Sequence, residues 1–421
     1  MSLIKNSIYN LAGFIIPTAL AIPALGILSR QLGTESFGIF TLVFALIGYA
    51  SIFDAGITRA VIREIAIFRD NIEEKKKIVS TASSVVLMLA AVASFLLYFF
   101  ADSVTALLKV SSQYVNQVNE SLIIIALIIP IYLLNQVWLA YLEGEEKFGN
   151  INIQKTISST LLAVLPAIFC IYSPHLISAV IGLAIARILS LVITFFIGRK
   201  FIVEASVIIH RVTLVRLIHF GGWLAVSNII SPLMVYFDRF VISHVMGAAK
   251  VAFYTAPSEG VTRLINIPYA LSRALFPKLS NVKTYQEKKN LEKKSYLILT
   301  LVCLPIVIVG MIFAKLILTL WLGPEYAGTA ALVMQILLIG FYFNSLAQIP
   351  YSALQANGYS KTTALIHVFE IIPYLTLLFW LTNKYGVTGT AVAWSVRTMI
   401  DFILLFLLSK RKVKIQMPAS I

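Results

Sequence analysis

The sequence predicts an all-α polytopic membrane protein: about twelve transmembrane helices in two parallel-repeat six-helix bundles around a central cavity. Three observations predict it. Of 421 residues, 59% are hydrophobic and only 13% charged, where a soluble protein carries about a quarter charged residues. Apolar runs long enough to cross a bilayer core, about 20 residues each, recur along the whole chain. Finally, the first half of the sequence returns in the second at a nearly constant offset.

The apolar runs place spans at 6–29, 37–58, 78–100, 120–142, 156–173, 176–198, 217–246, 251–276, 295–317, 327–356, 361–383 and 386–409. The first run is too long for a signal-peptide core and reads as a retained helix. Spans five and six are separated only by "SPH", a tight turn holding Pro174. Spans seven and ten, the longest, tilt or extend beyond the lipid. The longest loop on the side away from the termini is 101–119, with no histidine and no paired carboxylates.

An even number of spans puts both termini on one side and sorts the loops into two sets. The set that shares the termini holds 23 Lys and Arg, including Lys75–Lys77, Lys288, Lys289, Lys293 and Lys294; the opposite set holds five. The positive-inside rule makes the basic side, with both termini, cytoplasmic. The net charge of +15 is therefore mostly topology signal on solvated loops, and nucleic acid is not an expected partner. Six arginines remain, within or at the edge of spans: Arg59, Arg187, Arg239, Arg263, Arg273 and Arg397. Charge inside a bilayer is expensive and marks function by default.

The repeat appears when "SRQLGTESFGIFT" (29–41) is slid by 214 onto "SHVMGAAKVAFYT" (243–255), with Gly33 on Gly247 and, further along, Arg59 on Arg273. At offset 212, "LNQVWLAYLEGE" lies on "LAQIPYSALQAN"; at 210, Arg187 lies on Arg397. Spans one to six thus match spans seven to twelve, giving lobes 1–211 and 212–421. Transporters with such parallel repeats bind cargo at the repeat interface near the midplane.

Polar residues concentrate on spans one, two, seven and eight. Span one offers Asn6, Asn10, Gly13 and Pro17 on one face; span two offers Ser51, Asp54 and Thr58, then Arg59; span seven offers Ser227, Asn228, Ser231, Asp238 and Arg239. Span eight carries Glu259, Arg263, Asn266 and Arg273 at i, i+4, i+7 and i+14, a stripe along one helical face, with Glu259 and Arg263 spaced to pair and Pro257, Gly260 and Pro268 permitting a bend or an interruption. Asp238 and Arg239 read either as a structural pair or as cavity groups. Arg59 and Arg273 serve cargo entry or lipid headgroups. Arg397 has Asp401 one turn on, and a structural ion pair is expected for Arg187 and Arg397. His367 and Glu370, at i,i+3, relay protons or pack by hydrogen bonds. Cys170 and Cys303 sit in apolar runs as packing residues, and no histidine or cysteine spacing suggests a metal or other cofactor.

The stretches "ILSRQLGTESFGIFTLVFALIGYASIFDAGITRAVIRE", "DRFVISHVMGAAKVAFYTAP" and "LQANGYSKTTALI" resemble, in order and spacing, those of Wzx-type O-antigen flippases in the multidrug/oligosaccharidyl-lipid/polysaccharide exporter superfamily. The resemblance covers nearly the whole chain. It implies a transporter of the bacterial inner (cytoplasmic) membrane, working in lipopolysaccharide and other polysaccharide biosynthesis. Its cargo would be an undecaprenyl-pyrophosphate-linked glycan moved to the periplasmic leaflet by alternating access, with membrane lipid and the polysaccharide polymerase machinery as partners. An antiporter coupled to H+ or Na+ is implied too.

Guanidinium pairs well with phosphate in a partly desolvated site. The pyrophosphate is therefore expected on Arg263 and Arg239, with Arg59 and Arg273 at the cytoplasmic entrance and Asn266 nearby. Asp54, Asp238 and Glu259 are the expected ion-coupling acids. A multidrug exporter of the same superfamily is the alternative, disfavoured by the arginines. A membrane polymerase or ligase is less favoured still, because the 101–119 loop lacks catalytic groups, and the protein is not expected to be an enzyme.

Overall fold

A computed structural model describes the backbone of residues 3–281 and 284–416. Side chains are described throughout these except at 3–15, 223–233, 273, 274, 276, 277, 280, 281, 285, 360, 361, 364 and 412–416. Thirteen α-helices follow one another among the described residues: α1 (Leu3–Ala50), α2 (Ile57–Ile67), α3 (Ile72–Phe99), α4 (Ala101–Leu107), α5 (Val115–Gly144), α6 (Phe148–Tyr172), α7 (Leu176–Ala205), α8 (Arg211–Met246), α9 (Ala252–Leu264), α10 (Asn266–Asn281), α11 (Tyr285–Trp321), α12 (Thr329–Ala356) and α13 (Ser360–Gln416). Short 3-10 turns at Ser51–Asp54, Ser112–Tyr114, Ala248–Lys250 and Pro324–Ala327 punctuate them.

All twelve predicted spans fall on helix. Among the described residues, eight helical stretches are long and apolar enough to cross a membrane, and Ile16–Asp54 and Leu365–Arg411 are each long enough for two crossings. Each of those two turns at a single glycine: Gly33 (φ 72°, ψ 173°) in α1 and Gly386 (φ 63°, ψ −143°) in α13. A positive φ with extended ψ is open only to a residue without a Cβ, so one glycine suffices to end one helix and start the next. The outward faces are apolar: Phe99, Leu127, Leu301, Ile312, Phe369 and Ile372 are all exposed, a pattern water does not tolerate over so large an area and a bilayer does.

The repeat extends to the backbone. Three pairs of positive-φ positions stand at the offsets the sequence suggests: Gly33 and Gly247 (φ 72° and 89°), Lys109 and Gly323 (47° and 132°), and Glu146 and Gly358 (56° and 81°). The second span of each half is also broken at matching places. Span two is interrupted by the 3-10 turn Ser51–Asp54 and the left-handed pair Ala55–Gly56. Span eight is interrupted at Ile265.

By contacts the chain forms two compact units, Met1–Ala249 and Lys250–Ile421. In the first, α5 packs against α2, α3 and α7, while α6 lies against α1 and α7. Its core holds Phe37, Leu42, Leu122, Ile125, Val137 and Leu142, all fully buried. In the second, α12 packs against α9, α10, α11 and α13 around Leu338, Phe341, Ala353 and Leu354. The helix at the centre of each unit is span four or its repeat mate, span ten. The sequence-based lobe boundary at 211/212 follows the repeat, whereas the contact boundary falls after α8, which packs on α2. Gly221 of α8 lies so close to the Gly56 turn that a Cβ there would sit 3.0 Å from the Gly56 carbonyl oxygen.

Two local expectations are corrected. Segment 101–119 is not a plain loop: α4 occupies Ala101–Leu107, the Ser112–Tyr114 turn follows, and α5 begins at Val115. The lysine run 75–77 belongs to α3, whose N-cap Asn71 accepts a hydrogen bond from the Glu74 backbone N–H (3.0 Å). Lys75 is buried and bridges to Glu145 (2.8 Å), while Arg216 joins Glu74 (2.8 Å) and the buried Glu64 (3.4 Å). The basic face of the first unit is thus an ion-pair mesh, because helix ends converging there bring acids within reach of the lysines. Cys170 and Cys303 are buried free thiols.

Candidate functional site

In the first unit the break in span two builds a polar pocket. Left-handed Ala55 and Gly56 end the 3-10 turn and restart the chain as α2. Asp54 sits at that restart and accepts hydrogen bonds from the Thr58 backbone N–H (3.0 Å) and the Thr58 hydroxyl. The acid is thereby fixed in place, doing the work of a helix cap. Its neighbours Ser51, Thr58 and Arg59 face Gln136 and Glu143 of α5 and Lys155 of α6 across a cavity of about 380 Å³. Of the expected site residues, Asp54 and Arg59 therefore share one pocket. Gln136, Glu143 and Lys155 were missed; Gln136 and Glu143 were visible as an i,i+7 pair on one face of span four, but nothing in the sequence singled out Lys155.

Asp238 and Arg239, in α8, are both buried. The Arg239 backbone N–H donates to Asp238 Oδ1 (2.8 Å), and the Arg239 guanidinium lies 5.3 Å from the centroid of the Tyr236 ring. The Tyr49 ring packs tilted against Tyr236 (6.2 Å) and edge-to-face against Phe240 (5.4 Å). Gly48 makes the approach possible, since a Cβ there would stand 2.5 Å from the Tyr236 ring. Tyr132 of α5 is within electrostatic reach of Arg187, Tyr236 and Asp54.

Arg187 departs from expectation. It is not in an ion pair: among the described residues no carboxylate lies within salt-bridge distance. Its guanidinium lies over the Tyr132 ring at 4.6 Å, and its buried Nε has no hydrogen-bond partner. Nor does Arg397 pair with Asp401. Asp401 Oδ1 instead meets His367 Nε2 at 3.5 Å, and Arg397 lies over the Tyr374 ring at 5.2 Å. In both cases a tyrosine ring, on α5 for Arg187 and on the first limb of α13 for Arg397, stands where an acid was expected.

In the second unit, Glu259 and Arg263 are half-buried on α9 and do not pair with each other. The stripe through span eight is not continuous, because the helix breaks at Ile265. Asn266 opens α10, and its side-chain amide donates to the Arg263 carbonyl (3.1 Å), a C-terminal capping role. Arg263 lies in the last turn of α9, where the helix dipole favours a cation. The side chains of Arg273, Ser227, Asn228, Ser231, Asn6 and Asn10 lie outside the described residues.

Comparisons with known proteins bear on what these groups act upon. Residues 3–283 match the family described as "Polysaccharide biosynthesis protein", and residues 224–381 match the MatE family. A Shigella flexneri protein named "Putative O-antigen transporter" is 49% identical over 405 residues, 96% of this chain and 97% of that protein. Among solved structures, the lipid II flippase MurJ in an inward closed conformation aligns with TM-score 0.79 at 17% identity, over 96% of this chain and 87% of that one. An inward-facing multidrug resistance MATE family transporter aligns with TM-score 0.77 at 18% identity, over 96% and 98%. At such identities the solved structures establish the shared fold alone. The family match and the full-length relative establish more: this chain is a multi-pass membrane transporter, not an enzyme, and belongs to the polysaccharide biosynthesis protein family.

Proposed function

We propose that the protein is a flippase for a lipid-linked oligosaccharide, the O-antigen repeat unit or a related polysaccharide unit on undecaprenyl pyrophosphate. The cargo passes from the cytoplasmic to the periplasmic leaflet of the inner membrane. The observation that carries this reading is a surplus of cationic charge: the half-buried Arg187 and Arg263 form no carboxylate salt bridge among the described residues, and neither does the exposed Arg59. A desolvated guanidinium without an acid is costly unless an anion arrives to meet it, and pyrophosphate is an anion that arginine grips bidentately. The name of the full-length relative points to the same cargo class.

In this reading 1–211 and 212–421 are two six-helix lobes that open alternately to either side, with both termini in the cytoplasm. Arg239 and Arg263 hold the pyrophosphate with Asn266 beside them, and Arg59 and Arg273 receive it at the cytoplasmic side. Asp54, Asp238 and Glu259 bind the coupling cation, H+ or Na+, and the delivered unit passes to polysaccharide polymerase machinery. Multidrug export, which the MATE-like fold also permits, fits poorly, because cationic drugs are repelled by a surplus of arginine.

The test is surface polysaccharide in a flippase-deficient bacterium expressing wild type, Arg263→Ala, Arg239→Ala or Arg263→Lys at matched membrane levels. Loss in both alanine variants with partial rescue by lysine is the expected result. Export at wild-type level from the alanine variants would remove these arginines from the cargo site.

A further inference from the structure

The second unit holds a cluster of ionisable groups that the cargo site does not use. It exists because α13 doubles back at Gly386. The return is tight: a Cβ on Gly389 would lie 2.0 Å from the Leu381 carbonyl oxygen, and the Thr382 and Thr390 hydroxyls meet at 2.8 Å. The antiparallel limbs set His367, Glu370 and Tyr374 on one side against Arg397 and Asp401 on the other.

The cluster is tightly organised. His367 Nε2 stands 3.5 Å from Asp401 Oδ1, and its ring stacks on Tyr351 of α12 at 6.1 Å and 7°. Glu370 is buried, and neither of its carboxylate oxygens receives a hydrogen bond from a described donor. The charged groups around it are Asp401, a second carboxyl, His367 and Arg397. Two carboxyls can share a hydrogen bond only when one of them holds a proton. Glu370 and Arg397 together line a cavity of about 420 Å³ whose other walls include Leu365, Phe369, Leu377 and Leu404. Within this unit, the remaining titratable groups facing the cluster are Tyr374 on the same limb, Tyr351 from α12 and Tyr269 from α10; among the described residues α9 and α11 add none.

We propose that Glu370, His367 and Asp401 form a proton-binding site, with Arg397 as its internal countercharge. In uptake, hydronium gives its proton to the Glu370 carboxylate: an O–H bond forms on Glu370, one breaks in hydronium, and water is left. Neutral Glu370 then donates to Asp401, and Arg397 stays on the Tyr374 ring. In release, the proton returns to water and the Glu370 carboxylate faces Arg397, so each state has a partner for every charge in a medium of low dielectric. The site uses none of Asp54, Asp238 and Glu259. Its use in driving transport rests on the flippase reading, but its proton chemistry does not.

The experiment separates those two parts. Infrared difference spectra of the purified full-length protein in lipid nanodiscs, without any glycan lipid, follow the C=O stretch of protonated carboxyls as pH is varied. A band that titrates in wild type, is missing in Glu370→Gln and titrates about one pH unit away in His367→Asn is the expected result. A band unchanged in Glu370→Gln, or no titrating band, overturns the proposal, as does a wild-type band removed by sodium at fixed pH. Surface glycan in flippase-deficient cells is then compared for the same variants at matched levels, where Glu370→Gln is expected to fall to background. Wild-type export from that variant overturns the coupling role, whereas absence of export from wild type itself defeats the flippase reading and leaves the infrared result standing.

Discussion

Arg187 and Arg397 occupy equivalent places in the sequence repeat and have nearly the same immediate contact, a tyrosine ring 4.6 Å or 5.2 Å from the guanidinium. Their wider surroundings differ. Arg187 has no carboxylate partner among the described residues, whereas Arg397 stands in a group with Glu370, Asp401 and His367. A guanidinium cannot shed its proton at any physiological pH, so the first position keeps a cation in waiting and the second keeps a charge that acids can answer. In the proposed reading, the surroundings of Arg187 suit an anion and those of Arg397 suit a proton.

The largest effect that tests this contrast is on transport. Arg187→Ala is expected to reduce surface glycan about tenfold or more, the consequence of losing about 1.4 kcal/mol of anion binding; Arg187→Lys should recover part of it. Arg397→Ala should instead leave cargo binding by detergent-solubilised protein intact. If the two alanine variants lose cargo affinity equally, the contrast between the halves is broken.

Next in size are packing effects at two close approaches. Gly389→Ala places a Cβ 2.0 Å from the Leu381 carbonyl oxygen, where only backbone can yield, while Gly48→Ala places one 2.5 Å from the flexible end of Tyr236. Thermal unfolding in detergent should show Gly389→Ala destabilised by about 3 kcal/mol and Gly48→Ala by about 1. The repeat itself is sharpened by Gly33→Ala and Gly247→Ala. Both positions have positive φ, so each variant should lose roughly 1–2 kcal/mol, and by similar amounts. The smallest effect is expected for Arg69→Ala. Its bridge to Glu146 joins side chains 62% and 57% exposed, and removing it should cost no more than about 0.5 kcal/mol.

Much of the architecture was legible in the sequence. Hydropathy located the long apolar helices, since a bilayer demands about the same apolar length each time. The offset of 214 paired Gly33 with Gly247, and both combine positive φ with extended ψ, a conformation that favours glycine. The site was legible only in part. Asp54 and Arg59 were picked out and do share a pocket, and the prolines and glycine of span eight allowed its interruption without fixing it at Ile265. Gln136, Glu143 and Lys155 escaped notice because their pocket is made by three helices distant in the chain.

Composition and periodicity by themselves determined the class of protein and the positions of its long apolar helices, properties of hydrophobic length and local backbone preference. Which charge meets which was decided by tertiary structure alone. Asp401 is one helical turn from Arg397 yet lies against His367, thirty-four positions away in the chain and across the turn at Gly386. Helical spacing says which side chains share a face, but a salt bridge or a buried proton depends on atoms within about 4 Å, and only the packing of one helix on another brings them there.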